Sequence, residues 1–343
     1  MMKGTVLRLI LVLLLIGVVM LLIPWLSHAY VTRYARSSPD PSEETLQTIT
    51  LIQEPWKSSV AHNAVARILL EEELGYTVNI VTMPDDQDQA RALITGEASA
   101  NLEMWPSGID KTFRRYLEAD IIVRMGPLGA SSQYGWYIPT YLRDTYPNLT
   151  SWEDLKEREI VELFALGDED QTGALLSGDP TWDAYLEMLI SNLELPYEVV
   201  YTGSEETLLQ AIDQAYQNQE PVLFFFWEPH SAHLTYDLTR IRLPAYTAEC
   251  YDLIESGGMY CDYPRDVLLK VAHPGLEQQA PKAFTFVQKF FYPSNEVLLS
   301  LMQAIEESAT TEEGARRWLR ENEDVWRTWM PDNAQALPAR TAS

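Results

Sequence analysis

Residues 48–83 read TITLIQEPWKSSVAHNAVARILLEEELGYTVNIVTM, and this stretch decides the fold class. Thr48 to Ile52 is an apolar strand, followed by a turn containing Pro55-Trp56. A helix starts at Ser58 or Ser59, whose hydroxyls suit an N-cap, and runs through Val65, Ile68, Leu69 and Leu70 to Gly75, a good C-terminal stop. Tyr76 to Met83 returns as a strand. Strands alternating with helices indicate an α/β protein with a mainly parallel sheet.

The alternation continues outward. Asp86 to Thr95 reads as a helix and Ala100 to Met104 as a strand ending at Trp105-Pro106. Beyond Trp136, itself in a crossover strand element, come a helix (Trp152 to Lys156), a strand (Glu159 to Leu166), a helix (Thr181 to Leu193) and a strand (Glu198 to Thr202). Ser204 then caps a helix through Ala215, Pro221 to Trp227 is a buried strand, Val267 to Val271 another, and helices finish the chain. This layout predicts two α/β lobes, lobe I from residues 47–131 plus 243–331 and lobe II from 132–242, with a tail at 332–343. Ligands of open α/β sheets sit at the carboxyl ends of the strands, so a cleft shared by two lobes is the expected site.

The 343 residues carry 25 Lys and Arg against 50 Asp and Glu, a net charge of −25 that excludes a nucleic-acid partner, because such a surface repels a polyanion. Leu9 to Leu26 is a nearly unbroken apolar run preceded by Lys3 and Arg8, a membrane-directed segment with its basic end in the cytoplasm. The run is about long enough to span a bilayer, while Ser27-His28-Ala29 resembles a cleavage site. Residues 1–29 are therefore a signal peptide or a transmembrane anchor, 30–46 a linker, and everything after Tyr30 is extracytoplasmic. In an exported chain Cys250 and Cys261, which enclose ten residues, are expected to form a disulfide that closes a loop. Two thiols and five scattered His make no metal site, and neither metal nor cofactor is expected.

Ten Trp need either a large core or work at a surface. Trp105 and Trp227 each follow an apolar strand and precede a Pro by one or two positions, which puts an indole at the cleft mouth; Trp182 opens a helix after Gly178-Asp179-Pro180. Three indoles at element ends form a cage suited to a diffuse cation such as a quaternary ammonium. Trp318, Trp326 and Trp329, at spacings of 3, 8 and 11 on a final amphipathic helix, read as core instead. Trp152 reads as packing, and Trp56, at the first strand-to-helix turn, fits either role.

These residues carry a resemblance. Trp56-x-Ser58-Ser59, Leu74-Gly75-Tyr76, Gly96-Glu97 with Asn101-x-Glu103-x-Trp105-x-Ser107, Gly135-Trp136-Tyr137-Ile138-Pro139, Ser151-Trp152-Glu153-Asp154-Leu155 and Trp227-x-Pro229-His230 are similar to motifs of the glycine betaine/proline betaine substrate-binding proteins of ABC importers, over roughly residues 46–331. The resemblance implies a two-lobed type II periplasmic-binding-protein fold, two Rossmann-like α/β lobes around a cleft, that closes on its ligand and delivers it to a membrane permease. It implies a Trp cage at Trp105, Trp182 and Trp227, and a ligand carboxylate held by the N–H groups of Asp183 and Ala184, by His230, or by Lys57 and Ser58 at the first helix. A monomer without enzymatic activity is expected.

The chain departs from the pattern at Ile109, where some members have His, and at Asp183 and Glu228, acids beside cage indoles. The ammonium half of a betaine is better supported than the carboxylate half, so choline or carnitine, or a sensor of the same fold, stays an alternative. A secreted carbohydrate-active enzyme is the reading from another class. The sequence singles out no acid/base pair for it, and Glu103, Asp183 and Glu228 each read as an ordinary solvated acid.

Overall fold

The computed structural model describes residues 47–167, 172–182 and 184–332. The N-terminal apolar run, the linker at 30–46, residues 168–171, Asp183 and the tail beyond residue 332 lie outside the described residues, and the fold is that of the unit beginning at Thr48. No helix among the described residues is long and apolar enough to cross a membrane.

The opening stretch folds as its pattern dictates: β1 (Thr48–Gln53), α1 (Lys57–Glu72), β2 (Thr77–Thr82), α2 (Asp86–Thr95), β3 (Ala100–Met104) and α3 (Lys111–Glu118). Parallel pairing puts β1 between β2 and β3. The carboxylates of Asp85 and Asp110 cap α2 and α3, and Gly96 closes α2 in the left-handed conformation.

β4 (Val123–Pro139) is 17 residues long. The second half of the chain contributes α4 (Arg158–Leu163), β5 (Gly173–Ser177), α5 (Leu186–Asn192), β6 (Tyr197–Tyr201), α6 (Glu205–Asn218), β7 (Phe224–Glu228), β8 (Leu238–Ile241) and β9 (Asp266–Ala272), before α7 (Pro281–Lys289), α8 (Asn295–Glu306) and α9 (Thr311–Glu321). The sheet order is β2-β1-β3-β9-β4-β7-β5-β6, with β8 also on β4. β4 pairs antiparallel with β9 through its first half and with β7 and β8 through its second, so one strand joins the two halves of the sheet. The sheet is consequently less parallel than expected: β3 also meets β9 antiparallel, and parallel pairs survive only in the flanking triplets.

Phe224, Phe225, Phe226 and Trp227 of β7 are all at most 4% exposed, so both faces of this strand are covered and alternation gives way to a continuous apolar run. Burying each such ring contributes about 1.5–3 kcal/mol.

Three local expectations are corrected. Residues 159–166, expected as a strand, mostly form α4: Ile160, Val161 and Phe164 bury one helical face, and the strand slot beside β6 is filled by β5. The helix expected from Thr181 starts only at Leu186 because Asp179 ties Thr181 and Trp182 into a turn and Tyr185 stands in the left-handed conformation. The last three Trp do not share one helix, since α9 ends at Glu321, but all are at most 7% exposed as core residues. Cys250 and Cys261 are joined, and Asn192 Nδ2 donates to Gly257 O and Met259 O inside the loop they close.

Candidate functional site

A cavity of about 380 Å³ opens where β1, β3 and β7 end. Its aromatic wall is Trp56 from the turn after β1, Trp105 after β3, Tyr134 from β4, Trp182 from the turn that starts at Asp179, and Phe225 and Trp227 from β7. The rings of Trp182 and Trp227 stand at 89° with centroids 5.1 Å apart, two walls of a box. Trp105 lies flat on Tyr134, 4.7 Å between centroids and 8° between planes, so a second ring backs the third wall. Gly178 makes room for this arrangement: a Cβ there would come within 2.2 Å of the Trp182 ring.

Two of the indoles are fixed by one carboxylate. Glu103 Oε1 accepts from Trp56 Nε1 at 3.1 Å, Trp105 Nε1 at 2.9 Å and Ser58 Oγ at 2.9 Å, while Oε2 is 3.0 Å from His62 Nε2. Glu103 is 1% exposed, so it is not a solvated acid. Burial pushes its carboxyl up, but His62, Trp105 and Ser58 outweigh that and hold it below the usual carboxylate range. An indole N–H bound to an anion also turns its partial positive charge away from the ring's surroundings, which suits the ring to a cation.

Glu54, Asp85, Asp86, Glu103 and Asp110 line the cavity, whereas no Lys, Arg or His among the described residues does. The three aspartates also have structural work. Asp85 and Asp110 cap helices, and Asp86 Oδ2 accepts the Asp110 N–H at 2.7 Å.

The structure separates the other residues read from sequence. Trp105, Trp182, Trp227 and Trp56 come together in the wall, and Ala184 joins them, but its N–H donates to Trp182 O at 2.8 Å within the turn and does not start a helix. Asp183 is outside the described residues. Lys57 and Ser58 do not line the cavity. The Lys57 N–H donates to Glu205 Oε2 at 2.8 Å, so an internal carboxylate already occupies the positive end of α1, and Lys57 Nζ pairs with Glu306 at 2.6 Å. Ser58 is committed to Glu103. His230, 1% exposed, sits behind the wall: Nδ1 accepts the Ala232 N–H and Nε2 meets Glu205 Oε1 at 2.6 Å, with its ring edge-on to Trp227. Glu228 is exposed and stays off the lining, while Ile109 is on it. Tyr134 and Glu54 are among the lining residues that the sequence did not single out, and Glu103 stood out there only as an acid within the Asn101-x-Glu103-x-Trp105 spacing.

A two-lobed α/β protein with an aromatic cleft at its strand ends is a type II solute-binding protein. Over residues 47–321 the chain matches, and belongs to, the family described as the substrate-binding domain of ABC-type glycine betaine transport systems, a transport family and not a family of enzymes. Three solved structures share its fold. Lactococcal OpuAC, closed and complexed with glycine betaine, has a TM-score of 0.65 at 19% identity, covering 83% of this chain and 100% of that one. The glycine betaine/L-proline-binding protein ProX of Borrelia burgdorferi has a TM-score of 0.66 at 19% identity, covering 84% and 98%. An ABC-transporter choline-binding protein complexed with choline has a TM-score of 0.63 at 18% identity, covering 82% and 91%.

Proposed function

We propose that the chain is the solute-binding component of an ABC importer, and that its cleft holds the methylated ammonium head of a small quaternary ammonium compound between Trp105, Trp182 and Trp227. Trp56 and Tyr134 complete the walls. One observation carries this reading: two perpendicular indoles and a third backed by Tyr134 bound a single cavity whose charged lining is entirely acidic. Each desolvated ring face contributes about 0.5–2 kcal/mol to holding a diffuse cation. Three faces supply a useful share of the roughly 8 kcal/mol of micromolar binding. A primary ammonium loses its hydrogen bonds to water in such a cage, so methylation is the basis of selection.

The acidic lining favours a net cation of the choline class over a zwitterionic betaine, because a ligand carboxylate finds no basic side chain in the wall among the described residues. Lobe I (47–131 plus 243–331) and lobe II (132–242) close on the ligand and present it to a membrane permease. The protein acts as an extracytoplasmic monomer, tethered by residues 1–29 or released by their cleavage. Intrinsic fluorescence titration of the chain from Tyr30 with choline, glycine betaine and carnitine tests the reading. A saturable change whose midpoint moves to higher ligand concentration in Trp227→Ala supports it, and no change with any of the three overturns it.

A further inference from the structure

Glu54 is the first residue after β1, lines the cavity and is 5% exposed. Its Oε1 accepts from Gln89 Nε2 at 2.6 Å and Asn101 Nδ2 at 3.2 Å. Asn101 in turn donates to Gln89 Oε1 at 2.9 Å, and Gln89 to Met83 O at 2.8 Å, so the carboxyl is held by two amides that are themselves fixed. Both donors are neutral. The charged groups facing Glu54 are Asp86 on α2 and Glu103 on β3, both acids, with Asp85 and Asp110 further round the cavity. His62 of α1 faces Glu103.

We propose that the carboxyl group of Glu54 sets the charge class of the ligand: protonated, it leaves the cleft open to zwitterionic quaternary ammonium compounds, and ionised, it restricts the cleft to cations. This rests on the quaternary ammonium reading above and names the residue that divides its ligands. The geometry supplies a carboxyl in the wall with no Lys, Arg or His on the lining among the described residues. Burial raises its pKa to about 8, the Gln89 amide opposes this, and Asp86 adds to the rise, so the group changes charge in the slightly alkaline range. A new negative charge on a wall carboxyl this buried attracts a cation and repels a ligand carboxylate. If Glu54 served only to tie α2 to β3 through Gln89 and Asn101, ligand choice would not follow its ionisation.

Calorimetric titrations with choline and with glycine betaine, neither of which changes charge in this range, decide the matter. From about pH 6 to about pH 9.5 the ratio of choline to betaine affinity in the unaltered protein rises about tenfold, the size expected of one charge at close range in a partly screened site. In Glu54→Gln the ratio stays flat. Gln89→Leu, which removes a donor to the carboxylate, moves the midpoint of the rise to higher pH and serves if Glu54→Gln does not fold. A flat ratio in the unaltered protein, or an equal rise in Glu54→Gln, overturns the proposal while leaving the quaternary ammonium reading intact. Failure of both ligands to bind the unaltered protein at any pH defeats that reading itself, and this proposal with it.

Discussion

Trp182 and Trp227 meet at 89° with centroids 5.1 Å apart, although 45 positions separate them and one belongs to a turn and the other to a strand. A right angle between two indoles presents two π faces to one volume, which parallel stacking would not do. Trp182 owes its place to the turn that Asp179 starts and Trp227 to the end of β7.

Removing one wall tests the box. Trp227→Ala should weaken binding of choline or betaine by about 2- to 30-fold, the equivalent of one cation–π face. Calorimetry measures it, and an unchanged affinity would place the ligand elsewhere.

Gly178→Ala probes the same corner from behind. The added Cβ falls within 2.2 Å of the Trp182 ring and 3.0 Å of Ser204 O, so the indole must swing away. Ligand affinity should drop to the level of Trp182→Ala while the melting temperature shifts only a few degrees. An affinity like that of the unaltered protein would show that the turn yields without moving the ring.

Glu103→Gln removes the charge that Trp56, Trp105, Ser58 and His62 share. Leaving a buried donor without its acceptor costs about 1–3 kcal/mol, so denaturant unfolding should report a loss of that order together with weaker cation binding. A loss below about 1 kcal/mol would mean that the neutral amide replaces the carboxylate fully.

The two buried carboxyls have opposite pH signatures. Glu103 is held below its ordinary value, so its contribution is present above about pH 4.5 and lost as pH falls through its folded pKa. Glu54 is raised from 4.5 to about 8, so the unfolded chain releases its proton first and stability declines as pH rises between those values. Unfolding free energies across this range should show that decline, and Glu54→Gln should remove it. An unchanged slope in the variant would assign the decline to other groups.

Reducing the Cys250–Cys261 bridge, which spans 11 positions, frees a loop whose closure stabilises the fold by about 2–4 kcal/mol. Thermal unfolding with and without reductant measures this. Equal midpoints would mean that the Asn192 bonds to Gly257 and Met259 hold the loop unaided.

Features that depend on neighbours along the chain could be read in the sequence. The strand, helix and strand of residues 48–83 were legible from apolar runs and stop signals, and the placement of Trp105, Trp182 and Trp227 at element ends, where they line one cavity, was legible because each follows a strand or a Pro-containing turn. The segment at 159–166 was misread because its short apolar run fits a strand as well as a helix; pairing of β5 with β6 settled the choice. An exported α/β protein with an aromatic cleft and an acidic surface was thus determined by the sequence alone.

Tertiary structure decided which polar groups face the cavity. An acid reads the same in sequence whether water or protein surrounds it, and only packing turned Glu103 into the shared anchor of Trp56 and Trp105 and Glu54 into a carboxyl of the wall. The start of α1, a plausible anion site by its helix dipole, is filled by Glu205 from 148 positions away, and the same carboxylate draws His230 behind the wall. Burial and long-range hydrogen bonding fix the charge a group carries and the direction it faces, and neither is a property of local sequence.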